Sequence, residues 1–149
     1  MIADLTPSEQ EEVLQKKIHG HLGCHADGET YVVPILYAYA NKTVYFHTYE
    51  GKKAEIIRKN PRVCFQVDDG TDLHKWRSVV AWGECEELKG KDVTDAIQFL
   101  SEKAARAITG SMRGLRRKKD PSHLLRLNHK KVILYRIRFT KMTGRSEQS

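Results

Sequence analysis

The chain has few cysteines, and none of them pair by spacing. Cys24, Cys64 and Cys85 are scattered through apolar or alternating segments with no CxxC motif. That set excludes a disulfide framework and a zinc knuckle, and predicts three small buried hydrophobes in a reducing cytoplasm. No uninterrupted apolar run approaches the roughly 18 residues that a membrane-spanning helix needs. The opening 25 residues are acidic and polar rather than basic then apolar, so no signal peptide is expected. There is no Walker-type glycine loop, and no Ser, His and Asp set at a recognisable spacing. Acidic excess is also missing: the net charge is +7.

That charge sits in one place. Residues 110–131 carry eight Lys and Arg, including Arg116-Arg117-Lys118-Lys119, against the single Asp120, while the other 18 basic residues are matched by 18 acidic ones. The run reads as a solvated basic loop. It has no interleaved aromatics for base stacking, so nucleic acid is not an expected partner. With 149 residues, 40% hydrophobic and 30% charged, the chain can bury one core as a single soluble domain over residues 1–149.

Thr6-Pro7-Ser8-Glu9 is a capping box with proline at the first helical position, predicting a helix from Pro7 to about Lys17. The period then changes. His21–Ala26, Tyr31–Ala40 and Thr43–Thr48 read as a three-strand meander, with Asp27-Gly28 and Asn41-Lys42 as the turns. Pro34 inside the second strand predicts a bulge or an edge. Gly51–Asn60 reads as a short helix ended by Pro61, Arg62–Asp68 and Ser78–Leu88 as strands around a polar loop Asp69–Lys75, and the stripe from Val93 to Ile108 as a longer helix. A last strand runs from Lys131 to about Phe139. This order predicts a mainly β fold: an antiparallel, Greek-key-like six-stranded barrel with flanking helices.

The segment with chemistry is Thr43–Pro61. A strand ends in polar residues, turns through Glu50-Gly51 and opens a helix with Lys52 and Lys53 in its first turn. Lysines there oppose the helix dipole, whereas the free N–H groups and the two cations together suit a phosphate. His47, at the strand end, is the candidate for proton transfer or for holding a substrate oxygen. His19, His21 and His25 share a strand face, but no carboxylate or thiol pattern completes a metal site, and none is expected.

The run Phe46-His47-Thr48-Tyr49-Glu50-Gly51-Lys52-Lys53, closing at Asn60-Pro61, resembles the pyridoxamine 5'-phosphate oxidase-like FMN-binding split-barrel superfamily. Tyr31–Ile35, Asn60–Phe65, Trp76–Gly83 and Thr143–Arg145 resemble its nitroimidazole-resistance-like branch. The resemblance implies a homodimer with FMN at the interface. It implies that Lys52 and Lys53 bind the phosphate, that Val33, Pro34 and Ile35 run beside the ring, that Phe46, His47 and Thr48 line the ring and ribityl chain, and that Arg77 and Ser78 help hold the cofactor. The implied activity is an oxidoreductase, passing electrons from NAD(P)H or another reductant to a small oxidised or nitroaromatic substrate. Alternatives are a non-catalytic flavin store or sensor, or a relative that binds a deazaflavin or haem. The chain lacks the basic second-strand signature and the Trp- and Arg-containing ending of the true oxidases, so oxidation of pyridoxamine phosphate itself is not expected.

Overall fold

The structure is a computed structural model that describes residues 1–109 and 131–148. The expected basic loop, save Lys131, lies outside the described residues.

Among the described residues ten elements follow in order: β1 (Ile2–Asp4), α1 (Pro7–Lys16), β2 (His19–Ala26), β3 (Glu29–Ala40), β4 (Thr43–Tyr49), α2 (Lys52–Lys59), β5 (Arg62–Asp72), β6 (Lys75–Glu87), α3 (Lys91–Thr109) and β7 (Val132–Gln148). All strand pairs are antiparallel, in the order β1-β7-β4-β3-β2-β5-β6. A further β6–β7 pairing closes six of them into a barrel, with β1 appended to β7.

Local chemistry explains the elements. Thr6 Oγ1 accepts from the Glu9 N–H at 3.2 Å and Glu9 Oε1 from the Thr6 N–H at 2.9 Å, so the capping box forms as the sequence implies. Asp27 and Gly28 both have positive φ, 53° and 77°. That is the conformation a two-residue hairpin turn requires. Inside the barrel, Tyr37, Phe46, Phe65, Tyr135 and Ile137 form the core with Val13 and Leu14 of α1 and Ala54, Ile56 and Ile57 of α2. α3 covers the outside of the barrel, packing Ala96 and Leu100 on Ala38 and Leu134.

Three expectations are corrected, and a fourth is met in one of its two forms. The Asp69–Lys75 loop is mostly strand: β5 and β6 extend into a long hairpin whose turn is held by Asp72 Oδ1, which accepts from the N–H groups of His74 and Lys75 at 2.7 and 2.8 Å. β7 continues past Phe139 to Gln148, because a bulge opposite Trp82 and Gly83 shifts the inward parity from Phe139 to Met142, Gly144 and Ser146. Cys64 is only half-buried and faces outward beside Trp82, while Cys24 and Cys85 are buried. Of the bulge or edge expected at Pro34, the bulge is absent, since Pro34 sits in unbroken register opposite His21. It does lie on an edge. Among the described residues, Glu29 to Leu36 of β3 pair only with β2, and β4 joins β3 from Tyr37 onward.

Candidate functional site

β4 and α2 meet at Gly51, the N-cap of α2. No side chain among the described residues caps the helix, and a Cβ placed on Gly51 would meet none of them within 4 Å. The first intrahelical bond is from the Glu55 N–H to the Gly51 carbonyl at 3.1 Å. The N–H groups before it have no acceptor within the helix and carry partial positive charge.

The two lysines diverge from this turn. Lys53 points inward and is half-buried, and its Nζ donates to Thr48 Oγ1 at 3.1 Å. Among the described residues it has no carboxylate partner, and burial holds its ammonium below the usual lysine range. Lys52 points outward. It is ion-paired with Glu29 and lies 5.3 Å from the Tyr31 ring centroid. The bond to Glu29 pushes its pKa up.

His47 lies on the outer face of β4 with Tyr45 and Tyr49, its ring 6.4 Å from that of Tyr49. Its Nδ1 is buried with no hydrogen-bond partner among the described residues. Burial, and then the nearby Lys53 ammonium, hold its pKa below the ordinary histidine value. A neutral imidazole at pH 7 is a hydrogen-bonding group or a base, not a cationic acid. Phe46, by contrast, is fully buried and stacked on Tyr135 at 5.2 Å, so its ring belongs to the core.

On β3, Val33 and Ile35 face inward while Pro34 is exposed between Val32 and Leu36. The Tyr37 N–H donates to the Ile18 carbonyl of the strand's other partner at 2.9 Å. Backbone groups alternate direction along a strand. The N–H groups of Val32 and Leu36, and the carbonyl of Pro34, therefore point to the unpaired edge. Proline costs nothing there, because the N–H it lacks has no ladder partner to meet.

Arg77 and Ser78 are not brought to the lysines. Arg77 is bound to Asp69 at 2.6 Å and Glu12 at 3.4 Å, and Ser78 Oγ accepts from Gln66 at 2.9 Å. By register, Asp69 lies beyond the His19 end of β2, whereas Lys52 sits at the Ala26 end. Over eight residues at about 3.3 Å each, the separation is roughly 25 Å. Sequence reasoning missed Glu29 and Asp69, because their roles depend on which strand ends meet.

A concavity of about 960 Å³ opens over β2, β5 and β6 and is lined by Val32, Cys64, Trp82 and Arg138 among others; neither lysine lines it. Among the described residues no three His, Cys, Asp or Glu side chains gather into a metal cluster. No helix among them is long and apolar enough to cross a membrane.

A closed six-stranded antiparallel barrel with two plugging helices and a lysine-bearing strand-to-helix turn defines a split-barrel protein. Residues 6–146 match the family model for pyridoxamine 5'-phosphate oxidase, and the chain belongs to that family. A solved FAD-binding protein from Mesorhizobium loti is 30% identical, with 99% of each chain covered and a TM-score of 0.74. A candidate 5-nitroimidazole antibiotic resistance protein from Bacteroides thetaiotaomicron has the same fold: 20% identity, 98% of this chain and 87% of that one covered, TM-score 0.75. An uncharacterised Rhizobium meliloti protein is 36% identical over 67 residues, which is 45% of this chain and 44% of that one; the match thus spans less than half of that relative's length.

Proposed function

We propose that the chain is an FMN-binding oxidoreductase working as a homodimer, with the cofactor between two copies. The observation that carries the reading is Lys53, a half-buried ammonium with no carboxylate partner among the described residues, beside an uncapped helix start. A buried unpaired cation is costly, and an anion docked beside it removes the cost. The buried, unpartnered Nδ1 of His47 and the lack of a side-chain cap at Gly51 fit the same occupant. The name of the Mesorhizobium loti neighbour supports a flavin.

FMN, when bound, supplies the transfer of electrons from a reduced nicotinamide to a small oxidised substrate. The chain's own residues do the rest. Lys53 and the first-turn amides of α2 fix the phosphate. Thr48 orients the Lys53 ammonium. The backbone edge at Val32, Pro34 and Leu36 meets the polar rim of the ring. Neutral His47 donates or accepts one hydrogen bond to ring or substrate.

The second copy is supported by the position of Arg77 and Ser78, too distant to share a site with Lys53 of the same chain. It is supported too by Val32, Leu36 and Trp82, which are 63%, 52% and 38% exposed. The test is the absorbance spectrum of purified protein, with mass identification of whatever denaturation releases, followed by NADH or NADPH oxidation with nitroaromatics and quinones. Released FMN and turnover are expected. Released haem or deazaflavin overturns the cofactor, and tightly held FMN without turnover reduces the reading to a flavin store or sensor.

A further inference from the structure

We propose that Glu29 sets how strongly the phosphate end of the flavin is held, by competing with it for Lys52. The proposal rests on the cofactor reading above. It starts from the strap that the β2–β3 hairpin lays along α2. Asp27, at the turn, pairs with Lys59 at 2.8 Å near the C-terminal end of the helix. Asn60 Nδ2 donates to the His25 carbonyl at 2.8 Å. Glu29, the first residue after the turn, reaches the other end of the helix and pairs with Lys52. The positive φ of Asp27 and Gly28 and the Ala26–Glu29 register fix where that carboxylate stands.

The two lysines therefore have separate roles. Lys53 is held inward by Thr48 and stays in place. Lys52 is exchangeable: both it and Glu29 have side chains 52% exposed, and an exposed ion pair is easily given up. A phosphate dianion at the start of α2 offers Lys52 more charge than one carboxylate does, together with the amides that Glu29 does not engage. Tyr31, under the Lys52 ammonium, gives the side chain a resting place in either position. Glu29 thus lowers affinity for the phosphorylated flavin selectively, since a flavin without phosphate does not compete for Lys52.

The experiment is a fluorescence titration of apoprotein with FMN and with riboflavin, at low salt, for the wild type, Glu29→Gln, Lys52→Ala and the double variant. Glu29→Gln is expected to tighten FMN on the order of two- to fivefold, the range an exposed ion pair commands. It should leave riboflavin unchanged, and the gain should vanish when Lys52 is alanine. FMN bound equally or more weakly by Glu29→Gln overturns the proposal alone. So does an equal gain for riboflavin, or a gain that survives without Lys52. No FMN binding by any variant, wild type included, overturns the cofactor reading and this proposal with it.

Discussion

Lys53 and Lys52 are adjacent in sequence and opposite in circumstance, and that difference separates stability from function. Lys53 is desolvated without a carboxylate partner among the described residues. Lys53→Ala should leave the melting temperature of the apoprotein unchanged or higher while weakening FMN by about 10- to 100-fold, the worth of a charge-assisted hydrogen bond. Lys52→Ala should weaken FMN by less, because Glu29 already discounts its contribution. Equilibrium dialysis with calorimetry of the apoproteins checks both. His47 carries the pH dependence. Its folded pKa is depressed by burial and by Lys53, so the unfolded chain binds the proton more readily. The stability from His47 is complete above its unfolded pKa of about 6.5 and is lost as pH falls from there toward the folded value. Thermal melts between about pH 7.5 and pH 5 should show that slope, and His47→Gln should flatten it.

Among the elements, those whose causes are local were legible in the sequence. α1 is written in its capping box and the β2–β3 turn in Asp27-Gly28, and both form as read. The second half of β7 was not legible, since the bulge near Thr140 reverses the inward parity and a period-two reading breaks there. β1 has three residues, too few to carry any period. The long β5–β6 hairpin is hidden by polar residues that pair with each other rather than with the core. The bulge also makes a sharp prediction. A Cβ on Gly83 would lie 2.2 Å from the Arg138 carbonyl oxygen, a backbone atom that cannot swing aside. Gly83→Ala should cost about 3 kcal/mol, the upper end of overpacking penalties. Gly28→Ala meets nothing within 4 Å and only strains a positive φ, so it should cost about 1 kcal/mol. Urea unfolding of the two variants tests the ranking.

At the scale of the whole molecule, the barrel was readable because hairpin order and strand period constrain topology strongly. The candidate site was readable only in part. The lysine turn is contiguous in sequence, whereas Glu29 and Asp69 acquire their partners through strand register. Arg77 stands apart from the turn within one chain, which is the ground on which the site is proposed to draw on two. Val32→Glu combined with Trp82→Ala places charge on, and removes an aromatic from, the exposed outer face. Light scattering should show a shift from dimer to monomer, with flavin lost from the monomer fraction. A monomeric variant that keeps its flavin would place the whole site in one chain.

The unpaired edge of β3 also makes the molecule its own sensor. The amides of Val32 and Leu36 point away from β2 with no ladder partner among the described residues, and such groups trade their protons with solvent quickly. Those of Val33 and Ile35, bonded across to β2, trade slowly. Deuterium uptake along this one strand should therefore alternate residue by residue. An occupant lying against the edge should erase the alternation, slowing Val32 and Leu36 while Pro34, with no proton to trade, stays silent between them.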